Sequence, residues 1–352
     1  MKQFVLMMLV ICSCTIYASD LGGKELRKII KKEFNVQADA KLDIENKRGS
    51  IECITWEKDV VEIEVTISVR TNDENKAKEA LDKINVDFDA SPNFISAETE
   101  IELSDFKSVQ LKYNIDFVVK MPAYLNLELE NRFGDIYINK TEGKLKIDLA
   151  HGDLRLTEAI HGDMDLKFGK ASIGKMEKLD LELHYMNIDI DQIDYLNLDS
   201  QFSEVDVEQV RKLVLDSQSD YIEVGEVDTV LVNGQFTSLK INKLRSVLDS
   251  DCSYGGISVK YVDPEFKSIT SEHVFAAMKL SIDSEASFDF DCQVSMGSCN
   301  YPEGWGDISK EKQNYINTHF SGTFGQGESQ GRKVEVDVSQ GGLTIEKYLN
   351  QK

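Results

Sequence analysis

After its first eighteen residues the chain has no stretch near the ~20 consecutive apolar residues of a membrane helix, so no later span is expected. It is also short of positive charge. Forty Lys and Arg stand against 62 Asp and Glu, a formal charge of −22. A surface this acidic repels nucleic acid and anionic lipid, which argues against both as partners, while it admits divalent cations as loose counterions. There is no CxxC, so neither a zinc ribbon nor a thioredoxin-like redox site is indicated. The five histidines (His151, His161, His184, His273, His319) include no HExxH and no other close pair at ligand spacing. His151-Gly152-Asp153 and His161-Gly162-Asp163 echo each other, as corner residues of adjacent repeats would. A GxSxG elbow, a P-loop, a dinucleotide fingerprint and the Gly- and Asp-rich calcium nonapeptide are all missing. No catalytic residue, cofactor or metal ligand set is therefore assigned.

What is present begins with a leader. Lys2 supplies a positive start, and Phe4 to Cys12 form an apolar run too short to span a bilayer. Ile16-Tyr17-Ala18 ends in a small residue, which favours cleavage before Ser19 and a signal peptide of residues 1–18. The alternative is lipidation at Cys14 through the imperfect lipobox Ile11-Cys12-Ser13-Cys14. Export to the periplasm, cell envelope or cell surface is expected. Beyond the leader, Lys24, Arg27, Lys28, Lys31 and Lys32 read as a solvated helix face. The remaining cysteines are Cys53, Cys252, Cys292 and Cys299. An exported chain permits disulfides, and Cys292–Cys299 would close a short loop, whereas Cys53 reads as a buried thiol.

The dominant signal is a repeat. Leu179, Leu196, Leu213, Val230 and Val247 recur at intervals of 17, and Leu181, Leu198, Leu215 and Val232 follow two residues on. Offset nine holds Ile188, Val205, Ile222 and Leu239. Offset eleven holds Ile190, Val207, Val224 and Ile241, and offset fourteen holds Ile193, Val210, Val227 and Leu244. Pairs two apart are strands sending every second side chain inward; a helix needs spacings of three and four. No repeat can bury its apolar row alone, so repeats must stack, about 4.8 Å apart. The predicted fold is all-β: a parallel β-solenoid with rungs of about 17–18 residues, right-handed because parallel crossovers are.

The pattern extends outward. Leu127, Leu129, Ile136 and Ile138 recur 18 later as Leu145, Ile147, Leu154 and Leu156, and Met164, Leu166, Ala171, Ile173 and Met176 read as a repeat with a tighter corner. Past Val247 the register slips at Asp249 and resumes loosely. Leu42, Ile44, Ile51 and Cys53, and again Val334, Val336, Leu343 and Ile345, keep the offsets. Gly49, Gly134, Gly152 and Gly341 share offset seven, a corner expected to need positive φ. Alternating strands at Val61–Val69, Ile95–Leu103 and Val109–Val119 surround a helix capped by Thr71 or Asn72, with Ala77, Leu81 and Ile84 on one face. This antiparallel sheet-plus-helix is expected to cap the first repeat, whose edge would otherwise invite association. The expected divisions are 19–122 for first repeat and cap, 123–295 for the solenoid, and 296–352 for a Gly/aromatic excursion and last repeat.

Leu42-Asp43-Ile44-Glu45-Asn46 with Gly49-Ser50-Ile51 and Trp56, Met121-Pro122, Phe133-Gly134-Asp135-Ile136-Tyr137-Ile138 and His151-Gly152-Asp153-Leu154 carry a family resemblance. The chain resembles the bacterial "putative adhesin" β-strand-repeat family, an exported domain of unknown function, over most of its mature length. The resemblance implies an envelope or surface solenoid and brings no catalytic residues. Between Gly174 and Ser246 the corner glycines vanish, which departs from the pattern.

Two surfaces stand out as binding candidates. Offset ten stacks Asp189, Asp206, Glu223 and Lys240 outward, and offset three stacks Glu182, Asp199, Asp216 and Asn233. Stacked like charges raise pKa values or attract cations. Tyr301 and Trp305, in the Gly-rich excursion, could form a sugar-stacking platform or plug the hydrophobic stack. The expected function is a non-catalytic surface or structural protein, adhesin-like, with a cell-surface glycan or an envelope protein as partner. The rivals are a polysaccharide-acting enzyme using paired carboxylates and an envelope sensor.

Overall fold

The computed structural model describes residues 11–17, 24–106 and 110–349. Among these, strands account for most of the chain and Glu74–Asp82 is the α-helix. Two compact units emerge, Met1–Ile173 and Gly174–Lys352. No helix of the described residues is long and apolar enough to cross a membrane.

In the first unit, the repeat beginning at Leu42 is paired on both edges. Strand Lys41–Asn46 lies parallel between Phe94–Ile101 and Asn126–Arg132, with Leu42 opposite Leu127 and Ile44 opposite Leu129. Strand Ile51–Thr55 lies parallel between Lys112–Met121 and the start of Ile136–Ala150. The columns Leu42, Leu127, Leu145 and Ile44, Leu129, Ile147 are all buried, as are Ile51 and Cys53. A slip of one residue would turn every one of these side chains to solvent, so burial fixes the register. The first-repeat strands are thus edged by strands of the segment that follows them. Lys24–Asn35, Val60–Thr71 and Lys112–Met121 form an antiparallel sheet, and Ile84–Ser91 makes a hairpin with Phe94–Ile101.

Several local expectations need correction. The helix cap is Asp73, not Thr71 or Asn72; its carboxylate accepts from the N–H groups of Asn75 and Lys76, which would otherwise lack partners in the first turn. Ile84 is buried but starts the hairpin instead of ending the helix; Ala77, Ala80 and Leu81 form the covered face. Residues 24–35 are a strand, not a helix: they pair antiparallel with Val60–Thr71 along their whole length, and their cations meet carboxylates on that sheet. Arg27 and Arg70 converge on Glu25, and Lys31 meets Glu64 at 2.6 Å. The expected leader lies partly outside the described residues, and its Ile11–Tyr17 runs antiparallel to Lys24–Asn35. Met164 pairs with Ile147 and Leu166 with Leu149, so this repeat has no tight corner; Gly162 simply occupies the first inward position, opposite Leu145.

The corner glycines also behave differently from expectation. Gly49 has φ of 114°, but elsewhere the positive φ falls one residue earlier, on Phe133, His151 and Gln340. Gly134, Gly152 and Gly341 are needed for closeness instead. A Cβ on Gly134 would strike the carbonyl oxygen of Gly49, and one on Gly152 that of Gly134.

In the second unit, Asn187–Gln201, Glu204–Gln218, Tyr221–Gln235 and Ser238–Ser253 pair in parallel at the repeat interval. The apolar columns at offsets zero, two, nine, eleven and fourteen are buried as read. The slip comes earlier than expected, between Leu244 and Val247: Val230 faces Leu248, which is fully buried while Val247 is only half-buried. The last repeat is interleaved. Lys333–Ser339 lies between Ser268–Val274 and Phe288–Ser295, parallel to both, and Gly342–Tyr348 pairs with Ala277–Asp283. The aromatic excursion forms a hairpin, Gly306–Lys312 with Asn317–Phe324, which adds antiparallel to Phe288–Ser295.

Candidate functional site

The offset-ten residues meet in register, Asp189 with Asp206, Asp206 with Glu223 and Glu223 with Lys240. Lys240 Nζ lies 2.5 Å from Glu223 Oε2, while Asn242 donates to Oε1 at 3.2 Å. These donors hold the Glu223 carboxyl below its ordinary range. Asp206 moves the other way, because partial burial disfavours its charge and Glu223 and Asp189 repel it. Among the described residues no group of three His, Cys, Asp or Glu side chains is arranged to hold a metal ion.

The offset-three column is more open. Asp199, Asp216, Asn233, Asp251 and Glu272 face one another across successive strands and line a shallow groove of about 640 Å³. Two residues along, Gln201, Gln218 and Gln235 form a second outward column. Together with Asp199, Asp216 and Asn233 they border a smaller hollow of about 450 Å³.

The structure separates Tyr301 and Trp305 from both columns. Trp305 is 6% exposed and packs on Phe288 and Phe324, with ring centroids 5.8 and 5.2 Å away. Lys347 sits over its ring at 5.6 Å. Tyr301 meets Phe320 and Phe324 edge-on. This cluster covers the apolar end of the second unit. His151 is a corner residue stacked between Phe133 and Phe168, at 5.0 and 4.7 Å, and does not join His161.

The corners hold two features that the apolar repeat did not reveal. Offset six carries exposed rings in the left-handed region: Phe133, His151 and Phe168 in the first unit, and Tyr185, Phe202, Phe236, Tyr254 and Phe275 in the second. Within the second unit, Tyr185 stacks on Phe202, and Phe236, Tyr254 and Phe275 stack in turn, each pair 5.0 Å apart. Non-glycine residues rarely adopt such φ values; stacking, worth about 0.5–1.5 kcal/mol per pair, offsets that cost. Phenylalanine or tyrosine at one offset in successive repeats is the signal in the sequence, and it lies outside the inward apolar columns.

The second feature is an inward polar strip where the corner glycines are missing. Asp220 is 5% exposed; Oδ1 accepts from the Ser203 N–H at 2.7 Å, and Oδ2 from the Ser217 hydroxyl and the Gln218 N–H. Ser217 also bonds Thr237, at 2.8 Å. Burial nonetheless pushes the Asp220 carboxyl up. Ser203 and Asp220 thus accept from corner N–H groups where glycine stands in other repeats, and Thr237 bonds Ser217 and the Gln235 carbonyl.

All four cysteines beyond the leader are free thiols, with Cys53, Cys252 and Cys292 buried. Burial raises the Cys53 thiol to about 12. Cys299 hydrogen-bonds Cys292 and, with burial, drives its pKa up. A thiol pair in contact is set to oxidise together. Mild oxidation is expected to remove two titratable thiols, and peptide mapping should place the bridge at Cys292–Cys299; a bridge to Cys53 or Cys252 would contradict the geometry.

No family model matches the chain, and no curated protein matches it. Solved structures to which it is similar include a putative cell adhesion protein from Clostridium sporogenes, at 11% identity and a TM-score of 0.18, covering 93% of this chain and 100% of that one. A putative lipid binding protein from Parabacteroides distasonis shares 14% identity at a TM-score of 0.32, covering 91% and 97%. A putative adhesin from Bacteroides fragilis shares 11% at 0.18, covering 91% and 97%. Likeness this distant carries no argument about residues or partners.

Proposed function

We propose that the chain is an exported, non-catalytic envelope or cell-surface protein whose parallel repeats wind as a right-handed β-solenoid and whose outward columns bind a partner. The observation that carries this reading is the offset-three face. Asp199, Asp216, Asn233, Asp251 and Glu272 recur on adjacent strands and line an open groove. A surface that repeats every ~4.8 Å suits a ligand that is itself extended and repetitive.

One observation favours the enzyme reading. The Asp206 carboxyl is raised and its neighbour Glu223 is lowered, the division that an acid–base pair requires. Against it, Lys240 and Asn242 occupy both oxygens of Glu223. Incubation with acidic and neutral glycans separates the two readings. Retention of a glycan without new reducing ends is the expected result. New reducing ends or unsaturated products, lost in Asp206→Asn, would replace the binding reading with catalysis.

A further inference from the structure

We propose that the gap at Ser219 in the corner ladder is a slot for one sugar ring of a neutral glycan, walled by Phe202 and Phe236; this rests on the binding reading above. Ser219 occupies the ladder position between these residues, with φ of 64° against 55° and 56° for its neighbours. Its backbone is therefore that of a ring-bearing corner, with the ring removed. Ser219 N–H bonds the Gln235 carbonyl, and Phe202 N–H the Gln218 carbonyl, so the strands stay paired through the gap.

The geometry follows from the pairing. Tyr185 covers one face of Phe202 at 5.0 Å, and Tyr254 covers one face of Phe236 at 5.0 Å. The opposite faces of Phe202 and Phe236 look toward each other across two strand steps, roughly 10 Å. That separation admits one ring between two aromatic faces, each at about the 4.5–7 Å centroid distance of ordinary ring contacts. On the far side of Phe236 the ladder continues without a gap, through Tyr254 to Phe275. Phe202 and Phe236 are exposed to the same degree as the other corner rings, so both are reachable from solvent.

The surroundings choose the occupant. Gln201, Gln218 and Gln235 each directly precede a ladder position and border the 450 Å³ hollow with Asp199 and Asp216. Among the described residues no hydrogen bond engages these three side-chain amides. Amides and carboxylates side by side offer donors and acceptors to a hydroxyl-rich ring. An aromatic side chain would leave them unanswered, and the carboxylates would repel an acidic glycan. A neutral sugar can stack on the ring walls while the glycan that carries it offers hydroxyls to the amides and carboxylates of the adjoining hollow.

Affinity electrophoresis of the mature chain through gels containing laminarin, glycogen, xyloglucan or galactomannan tests this, with alginate and polygalacturonate as acidic comparisons. At least one neutral polymer should retard the wild type. Ser219→Phe fills the slot with the residue type that its neighbours carry. It should weaken retention at least roughly tenfold, the loss of a binding hot spot, while raising Tm. Phe202→Ala and Phe236→Ala should weaken it similarly, and Phe275→Ala, outside the slot, should not. Equal retention of wild type and Ser219→Phe would overturn the slot and leave the broader binding reading standing. Retention by acidic polymers alone, or competition by a tryptophan-bearing peptide and not by sugar, would overturn the sugar assignment. Loss of every glycan and envelope-fraction interaction would remove both readings.

Discussion

Leu215→Asp is expected to abolish cooperative folding of the second unit. Leu215 is 2% exposed and stands in a buried column between Leu198 and Val232, one on each neighbouring strand. Truncating a buried leucine costs about 2–5 kcal/mol. An unpaired buried carboxylate adds several more or shifts its pKa to avoid ionising. Domains are stable by about 5–15 kcal/mol, so the sum removes most or all of the margin. Neighbours in sequence should behave oppositely. Asp216 points outward and accepts from Asn233 at 3.4 Å, so Asp216→Asn should change stability by less than about 0.5 kcal/mol. Circular dichroism melts of the pair check the register. A cooperative, wild-type melt for Leu215→Asp would show that offset two does not face inward.

The second large effect is a loss of stability in mild acid caused by His273. This side chain is 1% exposed, and neither ring nitrogen has a partner. Burial lowers its pKa from 6.5 to about 4, opposed only weakly by Asp251. The unfolded chain therefore binds a proton that the folded chain refuses between those values. Stability is full above about pH 6.5 and declines as pH falls, reaching a loss of about 3 kcal/mol near pH 4. Glu25, Glu128, Glu223 and Glu226, all lowered by cationic partners, add their own losses only below their ordinary range near 4.5. Asp206 and Asp220, raised in the folded state, pull the other way and gain stability as pH falls, so the histidine's share is the difference between wild type and His273→Met. Urea titrations from pH 6.5 to 4.5 should show stability falling more steeply in the wild type than in His273→Met. An unchanged slope in His273→Met would place the proton uptake elsewhere.

His273 was legible only as one of five scattered histidines. Its burial follows from lying opposite Cys252 and Val338, and the second of those neighbours comes 65 residues later. The same holds for the interleaved last repeat. Val334 and Val336 carried the correct offsets, yet nothing local says that their strand inserts between Ser268–Val274 and Phe288–Ser295. Backbone pairing is chemically the same at every strand edge, so the order of strands is chosen by how whole faces pack.

The sequence alone determined the period, the strands and the inward columns. Alternation at two residues, repeated at 17, has one way to bury Leu196, Leu213 and Val230 together, and burial of that row dominates the energy. It also held the ladder of rings at offset six. The tertiary structure decided what those rings do. Backbone in the left-handed region turns them outward onto one another, and the stack is interrupted between Phe202 and Phe236, where Ser219 supplies no ring. It also decided that Ser217, Asp220 and Thr237, polar residues in an acidic chain, lie inside. A buried oxygen is tolerated where it finds a partner, backbone N–H groups for Asp220 and another side-chain oxygen for Ser217 and Thr237, and those partners are brought together by strands pairing across the repeat, not by residues adjacent in the chain.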